Sequence, residues 1–397
     1  DGGNPFAAPA DDPAFAESRD SDWERMNHRA RGTVYPPGAQ LIFAGMAFAE
    51  KGIPRLWVDK GLILSFDLAT GLLVLLLLRR RRLPPSWALF YAINPVVLVS
   101  FAAEAHYDAL FVLPLVGAVY ALETGRARLS WLLLALSIQI KLISLVLVPL
   151  WLLRRVWRGI GLAGAVLVLS WLPFIAAFPE WISSVYEFGG ETRFFGAFPY
   201  LMEVVGLDPG GAAFLGGGLF LVGLVWILWC GGAPATVARR ILAMFLLCGP
   251  VLHFWYLTWL VPFLALRPCL TWLWLCGAQG FYFLVWEVEA ATGVWALPGW
   301  VEPVVWIPFL LLGAGEGMRL LRRRPRKASP KERTVGIVVP TYNVEGSLGT
   351  IAYDIHNPVF AISGLSAVAF VAYALTAPTQ AAEFFGWLRP ALASKCT

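Results

Sequence analysis

Runs of about 17–20 apolar residues recur along this chain, each long enough to cross a bilayer as a helix. A backbone in hydrocarbon must satisfy its own hydrogen bonds, which leaves only helices and closed barrels. The runs are continuous and do not alternate, so the barrel alternative fails. The chain therefore reads as an all-α polytopic membrane protein. Composition agrees: 58% of residues are hydrophobic and 14% charged, where a soluble domain carries about 25% charged residues.

Basic residues orient the spans, because cytoplasmic ends collect Lys and Arg. Arg79 to Arg82 close a first long span (about 60–78). A second span (about 87–102) runs outward, and a third (about 108–122) returns to Arg126 and Arg128. Residues 129–153 then lie between two basic flanks, Arg126/Arg128 and Arg154/Arg155/Arg158. One helix cannot start and finish on the same side. The consistent reading is a pair of short helices with Lys141 near their tip. The same pattern recurs at 241–266, with His253, Trp255, Tyr256 and Trp259 in its middle. Spans at about 159–177 and 213–230 bracket a loop carrying Glu180, Glu187, Glu191, Glu203 and Asp208 against Arg193, read as external and solvated. Spans at about 270–286 and 304–320 complete a bundle of about 11 membrane helices, some short and paired.

The net charge of +5 does not indicate nucleic-acid binding, because the basic residues sit at helix ends. Four of the five cysteines lie in apolar spans and read as small buried hydrophobes. No Cys/His cluster has metal-ligand spacing, so neither a metal nor a cofactor is expected.

Ionisable groups at membrane depth are costly and usually functional. Glu104, His106 and Asp108 stand within five residues, at the outer turn between the second and third spans. The topology brings Lys141 and His253 to the same side. Residues 1–56 then form an external loop region, in which the short apolar stretch 38–49 reads as an interfacial helix. Its Tyr35-Pro36-Pro37 fixes an extended turn.

The first 320 residues resemble integral-membrane glycosyltransferases of the GT-C superfamily, and within it the polyprenyl-phosphate-sugar-dependent mannosyltransferases of family 87 and its relatives. The residues that carry the likeness are Gly3-Asn4-Pro5-Phe6, Arg19-Asp20, Asn27 and Tyr35-Pro36-Pro37 with Ala39-Gln40. Asn94-Pro95 with Glu104, His106 and Asp108 follow, then Lys141 and Pro149, then His253, Trp255-Tyr256 and Pro262. Their order and spacing together are more specific than any one of them. In this superfamily the main catalytic acid lies soon after a first membrane helix. The chain opens at Asp1 inside a polar stretch, so both are expected upstream of it.

The resemblance implies transfer of a hexose, most simply mannose, from a polyprenyl-phosphate donor to a glycolipid or glycan acceptor. The reaction would take place at the outer face of the plasma membrane. It casts Asp108, Glu104 and Asp20 as catalytic candidates, since a carboxylate suits the base role. It casts His106, Lys141, His253, Tyr256, Arg19 and Tyr35 as substrate contacts, since a leaving phosphate needs cationic or hydrogen-bonding support. The rival reading is a transporter or lipid-linked sugar flippase, in which short paired helices also occur. Polar groups gathered at one face, with a carboxylate-rich outer loop, favour the enzyme.

The organisation expected is 1–56 as outer loop, 57–320 as GT-C-like membrane domain and 321–333 as a basic cytoplasmic linker. Residues 334–350 carry Val-Gly-Ile-Val-Val-Pro340-Thr341-Tyr342-Asn343 and resemble the truncated opening of a family 2 glycosyltransferase, without its Asp-x-Asp metal site. From about Asn357, within 351–397, the chain resembles the first transmembrane helix of betaine/choline/carnitine transporters. This three-part order suggests a composite or misjoined chain.

Overall fold

Proline and asparagine or aspartate set several of the helix starts. In the computed structural model, which describes residues 3–19, 23–26, 28–191 and 194–322, Asn94 accepts the Val96 N–H at 3.0 Å with Pro95 at the first helical position. Asp208 does the same for Gly211 at 3.0 Å ahead of Pro209. Both satisfy backbone donors that a helix start leaves unpaired. Asp20, Asp22, Asn27, Arg193, the family 2-like stretch and the transporter-like tail lie outside the described residues.

The described residues are predominantly helical and contain no strand. Contacts divide the chain into two units, 1–266 and 267–397. The first opens with α1 (Pro37–Ala49) and α2 (Arg55–Arg80). A bent pair follows: a 3-10 turn and α3 (Leu89–Ala92), then α4 (Pro95–Val97) running into a π-helix, Leu98–Ala103. Its two arms meet at 48°. Next come α5 (Asp108–Glu123), α6 (Ala127–Ile140), a 3-10 segment Leu142–Leu147, and α7 (Val148–Leu153). After them run α8 (Ile160–Trp171), α9 (Phe178–Glu191), α10 (Ala197–Val204) and α11 (Pro209–Cys230). The unit ends with α12 (Pro234–Cys248), a 3-10 segment Phe254–Trp259, and α13 (Val261–Leu264).

Helix α5 is the centre of this unit. It packs against α2, α6 and α12, and most of its side chains are buried on all sides. That explains its near-uniform apolar sequence, since a helix surrounded by others needs no polar face. The segment 127–153 folds back at Lys141, as the flanking arginines predicted. Trp151 donates to Ser130 Oγ at 2.5 Å near the open end, and Ser137 and Ser144 hydroxyls meet at 2.6 Å near the tip. Gly159 joins this hairpin to α8 with φ +107°, and a Cβ there would lie 2.8 Å from the Arg128 Cα. Only glycine fits that combination of backbone and space.

Among the described residues, four helices are long and apolar enough to cross a membrane, and the bent pair makes a fifth if it is one span. The other spans expected within the described residues are shorter or broken helices. At 13 residues, α1 reaches only about 20 Å, short of a roughly 30 Å hydrocarbon core.

One expectation is corrected. The acidic segment 179–211, read as a solvated loop, is largely helical. Residues 160–189 run as one 30-residue apolar helix through a 3-10 stretch at Leu172–Ala177, and α10 follows. The reason is amphipathicity: α9 buries Trp181 against Phe6, with Val185 packed alongside, and leaves Glu180 and Glu187 exposed. The Trp181 indole also donates to the Val34 carbonyl at 3.2 Å, tying the N-terminal segment down.

In the second unit, α14 (Leu270–Ala278), a 3-10 segment and α15 (Leu284–Thr292) precede α16 (Val301–Arg322). Glu316 of α16 accepts the Leu270 N–H at 2.7 Å and the Thr271 hydroxyl at 2.8 Å, so α16 caps the start of α14.

Candidate functional site

The bent pair ends in a π-helix, a form that recurs near functional sites. It delivers the backbone into a tight turn: Glu104 N–H reaches Val99 O at 2.9 Å, and His106 N–H reaches Ser100 O at 2.7 Å. Between them Ala105 holds φ +52°, a left-handed conformation that costs a non-glycine residue about 1 kcal/mol. Lys60 of α2 donates to Ala102 O at 2.6 Å and also to Ala103 O, the last carbonyls of the π-helix. The turn is thus clamped from a neighbouring helix, and Glu104 is held within the field of the Lys60 charge.

Asp108 opens α5 and is fully buried. Lys141, at the hairpin tip, places Nζ 2.7 Å from Oδ1. Trp259 donates its indole N–H to Oδ2 at 2.6 Å. Both carboxylate oxygens are therefore engaged from two other elements. The lysine reaches this position because α6 ends at Ile140 and Lys141 adopts an extended backbone, φ −150°. Four rings surround its ammonium: Trp259 at 4.8 Å, Tyr107 and Tyr256 at 5.0 Å, and Phe111 at 5.5 Å. A desolvated ammonium gains from such faces as well as from its carboxylate.

His106 accepts the Asp108 backbone N–H through Nδ1 at 3.3 Å and lies 3.5 Å from Oδ1. Its imidazole stacks on Trp255 at 4.6 Å. Trp255 stacks in turn on His253 at 4.4 Å, and His253 on Phe194 at 5.5 Å. Phe194 arrives there through paired backbone bonds with Pro250 and Leu252. Tyr256 stacks on Trp259 at 4.2 Å. Tyr35 packs edge-on against Tyr107 at 4.9 Å, so the N-terminal segment contributes one wall.

Burial sets the protonation of the loop groups. Burial lifts the Glu104 carboxyl to about 7, with the Lys60 charge opposing, although the side chain keeps an exposed face. Burial lowers His106 to about 4; Asp108 opposes this and Lys141 adds to it. His253 falls to about 4 by burial, reinforced by Lys141 and His106. Burial raises the Tyr35 phenol, against its hydrogen bond with Tyr107. Both histidines are neutral near pH 7, able to donate or accept hydrogen bonds without adding charge.

Six of the sequence candidates converge: His106, Asp108, Lys141, His253, Tyr256 and Tyr35. Glu104 stands at their rim, two residues from His106. Arg19 does not join them; it donates to Asp11 O at 2.8 Å and stacks over Trp23 at 4.3 Å within the N-terminal segment. Asp20 is outside the described residues. Sequence reasoning missed Lys60, Phe111, Phe194 and the role of Trp259, which it placed only among the residues in the middle of 241–266. The available signal for Trp259 was its i,i+3 spacing from Tyr256, which places both on one edge of a 3-10 turn. Among the described residues no group of three or more His, Cys, Asp or Glu is placed to hold a metal.

Residues 58–157 match the family model of the alpha-(1->6)-mannopyranosyltransferase N-terminal domain. The matched stretch contains Lys60, the Glu104 turn, Asp108 and Lys141. No curated protein and no solved structure matches the chain. The family match and the apolar helices together support a membrane glycosyltransferase.

Proposed function

We propose that this chain transfers a hexose, most simply mannose, from a polyprenyl-phosphate donor to a glycolipid or glycan acceptor. The site faces the extracytoplasmic side of the plasma membrane, with 1–56 as outer loop and 57–320 as the membrane domain. One observation carries the reading: the mannopyranosyltransferase-like stretch 58–157 is the stretch that supplies the carboxylate turn and the buried Asp108–Lys141 pair.

In this reading Glu104 is the base. Its carboxyl is at the rim, accessible, and poised near neutral pH, where a base works best. It takes the acceptor hydroxyl proton as that oxygen bonds to the anomeric carbon. The anomeric carbon–oxygen bond to phosphate breaks, and its electron pair leaves with polyprenyl phosphate. His106 and His253 donate hydrogen bonds to the phosphate, and Lys141 supplies positive potential near the charge that develops. Asp108 holds Lys141 and contributes indirectly. Tyr35 and Tyr256 offer ring faces and hydroxyls to the sugar. Asp20 is read as a substrate contact on the outer loop, and Arg19, held by Asp11 and Trp23, is left out of the site.

The test is transfer from polyprenyl-phosphate mannose by the protein in vesicles. Glu104→Gln should lower kcat by 10²–10⁴-fold while the melting temperature stays near wild type. Full turnover in that variant removes Glu104 from the reaction. Donor movement across the bilayer without any transfer in the wild type would favour the flippase instead.

A further inference from the structure

The far end of α5, about 22 Å from Asp108 at 1.5 Å per residue, carries a second polar cluster. Glu123 closes the helix there. Its carboxylate accepts Arg81 Nη2 at 2.5 Å, Arg81 Nε at 3.3 Å and the Ala235 N–H at 2.9 Å. Arg81 also reaches Thr236 Oγ1 at 3.1 Å, and Arg80 donates to the Glu123 carbonyl at 2.5 Å. Arg80, Arg81, Glu123, Ala233 and Pro234 line a cavity of about 410 Å³. Next along the chain from Ala233, the Gly232 carbonyl accepts Arg154. Glu123 is committed to Arg81. Arg80 and Arg154 donate to carbonyl oxygens, so among the described residues their charges are uncompensated.

This end is strongly cationic. Segments 79–82, 126–128, 154–158 and 239–240 hold eleven arginines and no acid, with Glu123 alone beside them. Membrane orientation accounts for a basic surplus but not for an open hollow that Arg80 and Arg81 line. Every one of the eleven is arginine, while the lysines of residues 1–266 stand at 51, 60 and 141. The guanidinium fork suits bidentate phosphate binding in a way an ammonium does not. A separate observation locates a headgroup plane. Trp157 and Trp229, 57% and 86% exposed, flank the same end, as tryptophans do at a membrane interface. Basic pockets between membrane helices are known headgroup sites.

We infer that the cavity between α2, α5 and α12 binds the phosphate of one anionic phospholipid, with Arg80 as the lining contact, Arg154 reaching in from its bond to the adjoining Gly232 carbonyl, and Arg81 fixed by Glu123. The neighbouring apolar surface of α11 lies beside the acyl chains. This site is independent of sugar transfer at the other end of α5.

The full chain in detergent micelles is titrated with dioleoylphosphatidylglycerol or dioleoylphosphatidylcholine and read by native mass spectrometry. One phosphatidylglycerol per chain should be retained with about ten-fold preference over phosphatidylcholine. Arg80→Gln with Arg154→Gln should reduce that retention by at least about ten-fold, since even one lost charge-assisted bond is worth that much. Arg80→Lys, the milder variant if the double one does not fold, should fall between. Arg158→Gln, from the same basic end but neither lining the cavity nor bonded to the 232–234 stretch beside it as Arg154 is, should stay near wild type. Equal retention of the two lipids overturns the site. So does an equal loss in the Arg158 variant, which would mean diffuse attraction. Inorganic phosphate displacing the lipid at equal concentration overturns the lipid assignment in favour of a free-phosphate site.

Discussion

Trp259 donates its indole N–H to Asp108 across 2.6 Å, joining residues 151 positions apart in the chain. The bond fixes the carboxylate rotamer, and with it the oxygen that Lys141 meets at 2.7 Å. A tryptophan that could have anchored a membrane interface is instead a buried donor, 2% exposed.

Trp259→Phe keeps a ring against Lys141 and removes the donor. A hydrogen bond to a charged group is worth about 1.5–3 kcal/mol, so the variant should melt at lower temperature in detergent while transfer falls with it. A melting temperature equal to wild type would mean that Asp108 finds another donor and that the indole is there for packing alone.

The Asp108–Lys141 pair is buried, so its partners should be interdependent. Removing one leaves the other charged and unpaired, at about 3–5 kcal/mol, whereas replacing both is often near neutral. Asp108→Asn and Lys141→Met should each lower thermal stability sharply, and the double variant should recover at least half of the loss. Transfer should stay low in the double variant despite the recovered fold. Additive losses in the double variant would show that the two side chains are not coupled.

Glu104 should impose a pH dependence. With its carboxyl raised to about 7, the base form fills as pH rises, and transfer should climb between pH 6 and 8 with its midpoint near 7. Glu104→Gln should abolish that rise. The stability effect has the opposite sign. A carboxyl raised above its unfolded value favours the fold most below about 4.5, and that contribution is lost as pH rises through about 7. A pH–rate profile flat across neutrality would remove Glu104 as the base.

Much of this arrangement was legible without coordinates. The continuous apolar runs determined helices, because hydrocarbon leaves the backbone no other partner. The arginine flanks around 129–153 determined a hairpin with Lys141 at its tip, because both ends carry the same orienting charge. The cost of ionisable groups at membrane depth marked Glu104, His106 and Asp108 as a site. Three things needed the tertiary structure. The helical continuation through 178–191 depended on Phe6 and its neighbours covering Trp181, a contact between distant segments. The clamp of Lys60 on the π-helix carbonyls depended on α2 lying beside the bent pair. The bond from Trp259 depended on where the 3-10 segment Phe254–Trp259 meets the start of α5. Local pattern governs what a segment can become in a membrane; which polar groups end within hydrogen-bonding reach is decided by packing between segments.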